Sequence, residues 1–168
     1  MDTLEAICSR KSIRSYTGQQ ISDDQLASIL KAANAAPVGR GRYDTLHLTV
    51  VRNADLLASI DANAAEDPGD HPLYGTPLLI VVSSSTEGNV PSANVAMVIH
   101  TMALAAVELG IGQCVIYGAI RALLKSPKLI ARLQLPAGYT PLGALALGVS
   151  EESYAKRDVP THIRQNEV

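Results

Sequence analysis

Three cations and a hydroxyl fall within five residues near the start of this 168-residue chain, at Arg10-Lys11-Ser12-Ile13-Arg14. A phosphate monoester dianion requires such a set. Positive charge offsets its desolvation, and a guanidinium gives paired hydrogen bonds. The same run also suits a solvated basic turn, because most charge runs simply face water. Nothing else competes with it as a site. No Ser/His/Asp order and no Cys/His pair stands out, so hydrolysis by an activated nucleophile has no support. His47 and His100 fall in predicted regular structure, where packing is the plainer role for each. Cys114 sits inward on a predicted strand with no His or Arg near it in sequence, which suits packing better than chemistry. Residues 66–71, Glu-Asp-Pro-Gly-Asp-His, match no metal-loop spacing and read as a solvated loop able to cover a pocket. No metal ligand and no catalytic acid or base is assigned.

Composition narrows the class. The chain is 47% hydrophobic and 18% charged, and 14 Lys+Arg against 16 Asp+Glu leave a net charge of −2. That balance argues against a basic nucleic-acid coat. The length fits one domain over residues 1–168 and is enough to bury a core without staples. Two cysteines, Cys8 and Cys114, are too few for a disulfide framework and point to a reduced, cytoplasmic setting. The longest apolar runs, residues 77–82 and 95–107, are too short for a bilayer or are broken by His100 and Thr101, so no membrane partner is expected. Residues 1–5 have neither the basic nor the apolar region of a signal peptide. With no Phe, no Trp and six Tyr, the core must be built from Ala, Leu, Ile and Val.

The elements that would position the basic run follow from periodicity. Residues 3–9 read as a short amphipathic helix with Leu4 and Ile7 on one face. Ser22 reads as an N-cap, with Asp23 and Asp24 favourable to the helix dipole. Leu26, Ile29, Leu30 and Ala33 form the stripe of that helix, which ends before Pro37. Strands are expected at 45–51, 78–83, 113–117 and 142–149. Helices are expected from 53 or 54 to 65, from a Ser92 cap to Leu109, and over 119–133 with Pro127 opening a second piece. The tail from Ser150 is polar. This alternation suits an α/β or an α+β sheet. Gly110-Ile111-Gly112 follows a helix and lacks the third glycine of a dinucleotide fingerprint, and there is no Walker A sequence.

Residues 9–16, Ser-Arg-Lys-Ser-Ile-Arg-Ser-Tyr, resemble the amino-terminal Arg-Arg/Lys-Ser-x-Arg-x-Phe/Tyr signature of the flavin-dependent nitroreductase family. Further parts arrive in the same order. Residues 21–26 look like the second helix start, Ala35-Ala36-Pro37 like the Ala-Pro turn, and residues 48–51 like the first strand. Residues 104–112 resemble the long helix ending in Leu-Gly-x-Gly, and residues 144–148 with Lys156-Arg157 resemble the closing strand and basic tail. The resemblance spans nearly the whole chain. It implies an α+β fold, with a central antiparallel sheet flanked by helices, in an intertwined homodimer. Two FMN molecules would lie at the dimer interface, reduced by NADH or NADPH.

On this resemblance, Arg10, Lys11, Ser12 and Arg14 match the positions for the flavin phosphate, ribityl chain and pyrimidine edge. Lys156 and Arg157 match the carboxy-terminal phosphate contacts. Pro37, Val38 and Gly39 match the turn laid along the isoalloxazine ring by the second subunit, and Tyr117 and Gly118 the residues opposite flavin N5. A strand-end glycine needed only for backbone shape is an equally good reading of Gly118. After Ala-Pro the family commonly has Ser-x-x-Asn-x-Gln-Pro; here Val38-Gly39-Arg40-Gly41-Arg42-Tyr43-Asp44 replaces it. Arg40 and Arg42 could meet the flavin phosphate, the nicotinamide nucleotide or an acidic substrate, or could sit in an exposed loop. The implied function is an FMN-dependent oxidoreductase passing hydride from NAD(P)H to a nitroaromatic, quinone or other conjugated small-molecule acceptor by a ping-pong mechanism. A flavin enzyme for one metabolite and a non-catalytic FMN-binding or storage protein are the rival readings.

Overall fold

The computed structural model describes residues 2–168. Helix α1 (Thr3–Ser9) is capped by Asp2. Its Leu4 and Ile7 do not face the core: Leu4 is 74% exposed, and Ala6 and Ser9 are the buried pair. Helix α2 (Asp23–Ala35) opens on a complete capping box between Ser22 and Gln25, which satisfies two otherwise orphaned N–H groups. Its Leu26, Ile29 and Ala33 are buried as the stripe requires.

Strand β1 (Leu46–Val51) and helix α3 (Ala54–Ala64, capped by Asn53) precede strand β2 (Leu78–Ser84). Helix α4 (Asn89–Glu108) follows. It starts one turn earlier than a Ser92 cap would allow. Pro91 is tolerated because a first-turn N–H has no intrahelical partner to lose. The Ser92 hydroxyl instead donates back to Gly88 O at 3.2 Å. Helix α4 is by itself long and apolar enough to cross a membrane, His100 and Thr101 notwithstanding, yet half of it is buried within this fold. Strand β3 (Gly112–Ile116), helices α5 (Gly118–Leu123) and α6 (Pro127–Arg132), and strand β4 (Thr140–Gly148) complete the order. Tyr117 leaves the strand with helical backbone angles, so β3 ends a residue sooner than its apolar pattern suggests. Leu124–Ser126 divides the predicted 119–133 helix in two.

The sheet has the order β1-β2-β4-β3, and every neighbouring pair is antiparallel. Alternate residues of β2 and β4 feed two cores. Leu78, Ile80, Val82, Leu145 and Leu147 pack under α2 and α4. Leu79, Val81, Ala144 and Ala146 pack with Cys114 and Ile116 of β3 under α3 and α5. Each fully buried Leu or Ile contributes about 1.5–3 kcal/mol. Helices come close because β4 is thin. A Cβ on Gly143 would lie 2.8 Å from Ile99 Cδ1.

At the end of β4, a Cβ on Gly148 would lie 2.7 Å from Pro77 Cδ and 2.9 Å from Tyr16 Cδ1, both ring atoms that cannot swing aside. Gly148→Ala is therefore expected to destabilise the chain by about 1–3 kcal/mol through overpacking. Urea unfolding followed by circular dichroism checks this; an unchanged midpoint would contradict the packing described.

Candidate functional site

Past α1 the chain runs extended along the start of β3 and the end of β4. Ile13 N–H donates to Gln113 O at 2.8 Å, and Thr17 N–H to Val149 O at 2.9 Å. Gln113 Nε2 donates to Lys11 O at 2.8 Å. Ile13 is fully buried, with Cγ2 3.1 Å from where a Gly112 Cβ would stand. In extended backbone successive side chains alternate. Burying Ile13 thus leaves Ser12 half-buried and Arg14 exposed on the other side.

The charges divide unequally. Neither the Arg10 nor the Arg14 guanidinium forms an ion pair among the described residues. Arg14 lies 5.8 Å from the centroid of the Tyr74 ring, a cation–π distance. Lys11 Nζ pairs with Glu152 Oε2 at 2.8 Å, and that hydrogen bond holds the Glu152 carboxyl below the usual carboxylate range. The tail is tied to the same place. Arg157 donates through Nε to Cys8 O at 2.9 Å and through Nη2 to Arg10 O at 2.7 Å, satisfying carbonyls at the end of α1. Tyr154 OH donates to Ile111 O at 2.8 Å, and burial pushes its phenol up to about 12. Lys156 is exposed beside Arg157. Arg10, Lys11, Ser12, Arg14 and Arg157 are thereby brought together.

Cys114 is buried as expected but is not remote from charge. Burial pushes its thiol up, against the opposing pull of Arg14, a hydrogen bond from Ser12, and Arg10. Tyr16 lies beneath, its OH donating to Ile13 O at 3.1 Å, with burial raising its phenol strongly. Of His47 and His100, the former meets the Tyr139 ring edge-on at 5.7 Å. His100 is exposed on α4, so the packing expected of it does not occur within this chain.

Tyr117 and Gly118 stand at the other end of β3, about 13 Å from Gln113 at the rise of a strand. Tyr117 is 63% exposed and supplies no side-chain cap to α5. Nothing lies within 4 Å of where a Gly118 Cβ would be, so a flat ligand has open access to that backbone.

Pro37, Val38 and Gly39 follow α2. Gly39 N–H donates to Asn94 Oδ1 at 2.9 Å, and Tyr43 OH to Ala36 O at 2.8 Å. Asn94 was not legible as a site residue, although a lone amide in the apolar stripe of a long helix is a signal. Arg40 is held at φ +58°. Arg42 grips Asp44 through Nε and Nη2 at 3.1 and 3.2 Å, so its charge is matched locally. This turn sits by the early part of α4, whereas Ile13 sits by Gly112, beyond its last residue. Asn94 to Glu108 spans about 20 Å of helix. The turn and the basic run are therefore not brought together within one chain.

The residues present fit the FMN that the resemblance implies. Unpaired guanidinium groups and a hydroxyl suit a phosphate, and the open backbone at Gly118 suits a flat ring. No group of three or more His, Cys, Asp or Glu able to hold a metal occurs among the described residues.

The family model described as "Nitroreductase family" matches residues 7–70 and 64–149. A curated relative from Methanothermobacter thermautotrophicus, named "Putative NADH dehydrogenase/NAD(P)H nitroreductase", is 30% identical over 176 residues, covering 95% of this chain and 83% of its own. The crystal structure of a nitroreductase with bound FMN from Desulfitobacterium hafniense has a TM-score of 0.86 at 28% identity, covering 99% of this chain and all of that one. Another, from Bacteroides fragilis and also with bound FMN, has a TM-score of 0.81 at 28% identity with the same coverage.

Because Cys114 is buried and burial pushes its thiol up, a disulfide reagent should modify half-buried Cys8 in the folded protein and Cys114 only after unfolding. Peptide mapping after brief labelling at pH 7.5 distinguishes them. Rapid labelling of Cys114 would contradict its placement.

Proposed function

This chain belongs to the nitroreductase family, and on that premise we propose that it is an FMN-dependent oxidoreductase taking hydride from NADH or NADPH. It passes the hydride to a nitroaromatic, quinone or other conjugated acceptor, donor and acceptor using the same site in turn. The observation carrying this reading is the docked basic run with two unpaired guanidinium groups, joined by Arg157. When bound, FMN supplies the hydride chemistry itself. The chain binds and orients it. Arg10, Lys11, Ser12, Lys156 and Arg157 hold the phosphate and ribityl end. Arg14, or Arg10, places positive charge at the pyrimidine edge and stabilises negative charge there. The Gly118 N–H and the Tyr117 ring face the reacting edge. Solvent supplies protons, so no side chain is assigned as acid or base.

The working unit is a homodimer in this reading, with the whole chain acting as one FMN-binding domain. Pro37, Val38 and Gly39 reach the ring from the second copy, which accounts for their distance from the basic run. An apolar outer face supports this: Leu4 and Ile7 of α1, and on α4 Val90 and Met97, the latter 50% exposed. The two free thiols suit the cytoplasm.

Arg14→Ala should weaken FMN binding about 10–100-fold, the worth of a charge-assisted hydrogen bond. Fluorescence titration reads this, and unchanged affinity would remove the basic run from the site. Glu152→Gln should tighten FMN, because Glu152 and the phosphate compete for Lys11. Met97→Asp should convert the dimer to the 17.7 kDa chain and release flavin together, as read by light scattering and absorbance. A monomer that keeps flavin would refute the shared site.

A further inference from the structure

Beside Gly118 lies an open cavity of about 810 Å³. One wall is α5 and the turn that ends it, contributing Gly118, Arg121, Ala122 and Lys125. Positions three, four and seven apart share one helical stripe, so these side chains form a single ridge. It leads from Gly118 outward over about 10 Å. The facing wall is the end of α3 and the loop to Tyr74.

The charges on the two walls differ in their commitments. Asp70 accepts the Asp67 N–H at 2.9 Å. His71 Nδ1 lies 2.9 Å from Asp61 Oδ2, while Asp61 Oδ1 accepts the Leu73 N–H at 2.7 Å. Glu66 stands on the same side. Neither Arg121 nor Lys125 forms an ion pair or a side-chain hydrogen bond among the described residues. Two cations one turn apart are thus presented to a cavity without a built-in partner, and one of them is a guanidinium able to grip an oxyanion with paired bonds.

We propose that this cavity is a substrate subsite, in which Arg121 and Lys125 hold the anionic tail of a planar substrate whose reacting ring lies at Gly118. The ring's position rests on the flavin reading above; the anion subsite itself does not. The ligand chemistry is a phosphate or carboxylate oxyanion. Its source is the phosphate of the nicotinamide dinucleotide or the carboxylate of an aromatic acceptor. Specificity then lies on α5, apart from the residues that retain flavin.

The test is calorimetric titration of FMN-saturated protein with ADP-ribose and, separately, with 4-nitrobenzoate, using wild type and the double variant Arg121→Ala/Lys125→Ala. The same titrations are run on wild type and the double variant after removal of flavin. The double variant should retain its FMN content and bind one of the two ligands at least about tenfold more weakly. Loss confined to ADP-ribose identifies the nucleotide as the source, and loss confined to 4-nitrobenzoate the acceptor. In turnover the KM of that substrate should rise with kcat unchanged, and Arg121→Lys should recover part of the affinity. Equal affinities in wild type and variant, or no binding of either ligand to wild type, would overturn the proposal. Protein that stays colourless with FMN defeats the flavin reading instead, and leaves the titrations on flavin-free protein to decide the subsite.

Discussion

The site depends on one buried side chain. Ile13 is seated against Gly112, where any side chain would intrude, and its backbone is paired to Gln113. An exposed run of cations repels itself and would ordinarily wander in solvent. Here the burial of a single isoleucine, with two hydrogen bonds to Gln113, fixes the run on the edge strand of the sheet. The pleat then decides which neighbours face outward. A cationic group costs less to hold in place when the adjoining apolar residue supplies the docking energy.

Around that anchor the tail serves as a clasp. Arg157 spends two of its donors on carbonyls of Cys8 and Arg10, while Tyr154 bonds Ile111 O. The Arg157 contacts join two chain ends that are about 150 positions apart in sequence, and they bring more positive charge to one place. Glu152 partly offsets that charge through Lys11. Neither Arg10 nor Arg14 forms an ion pair among the described residues, although Arg14 also lies by the Tyr74 ring and acts on Cys114. In contrast, Arg42 is consumed by Asp44 two residues away. A charge therefore counts toward a site only after its local partners are known.

Helix α4 sets the scale of the molecule. It buries one face on the sheet and α2 and leaves Val90, Met97 and His100 facing out. It also separates the Pro37–Gly39 turn, held by Asn94, from the basic run. An apolar surface and a divided set of proposed flavin-contacting residues would share one resolution in a second copy of the chain, the homodimer proposed above. The absence of Phe and Trp is consistent with this economy. Small side chains on β4 bring the helices close, and bulk is reserved for the Leu and Ile layers.

Periodicity, caps and breakers placed nearly every element, because those signals act between near neighbours: the Ser22 cap and the break at Pro127 are both local, whereas the expected Ser92 cap put the start of α4 a turn late. The ordered motifs also identified the family and the basic run. They could not show that α1 turns its apolar residues outward, since amphipathicity names a face without naming its partner. Nor could they show that Cys114 lies beside Arg14, that Asn94 clamps Gly39, or that Arg121 and Lys125 open onto a cavity. Helix-linked strands are compatible with parallel and antiparallel sheets alike. The resemblance alone gave the antiparallel direction; adjacency and pairing arise from contacts between residues tens of positions apart, so they were settled only when the chain packed.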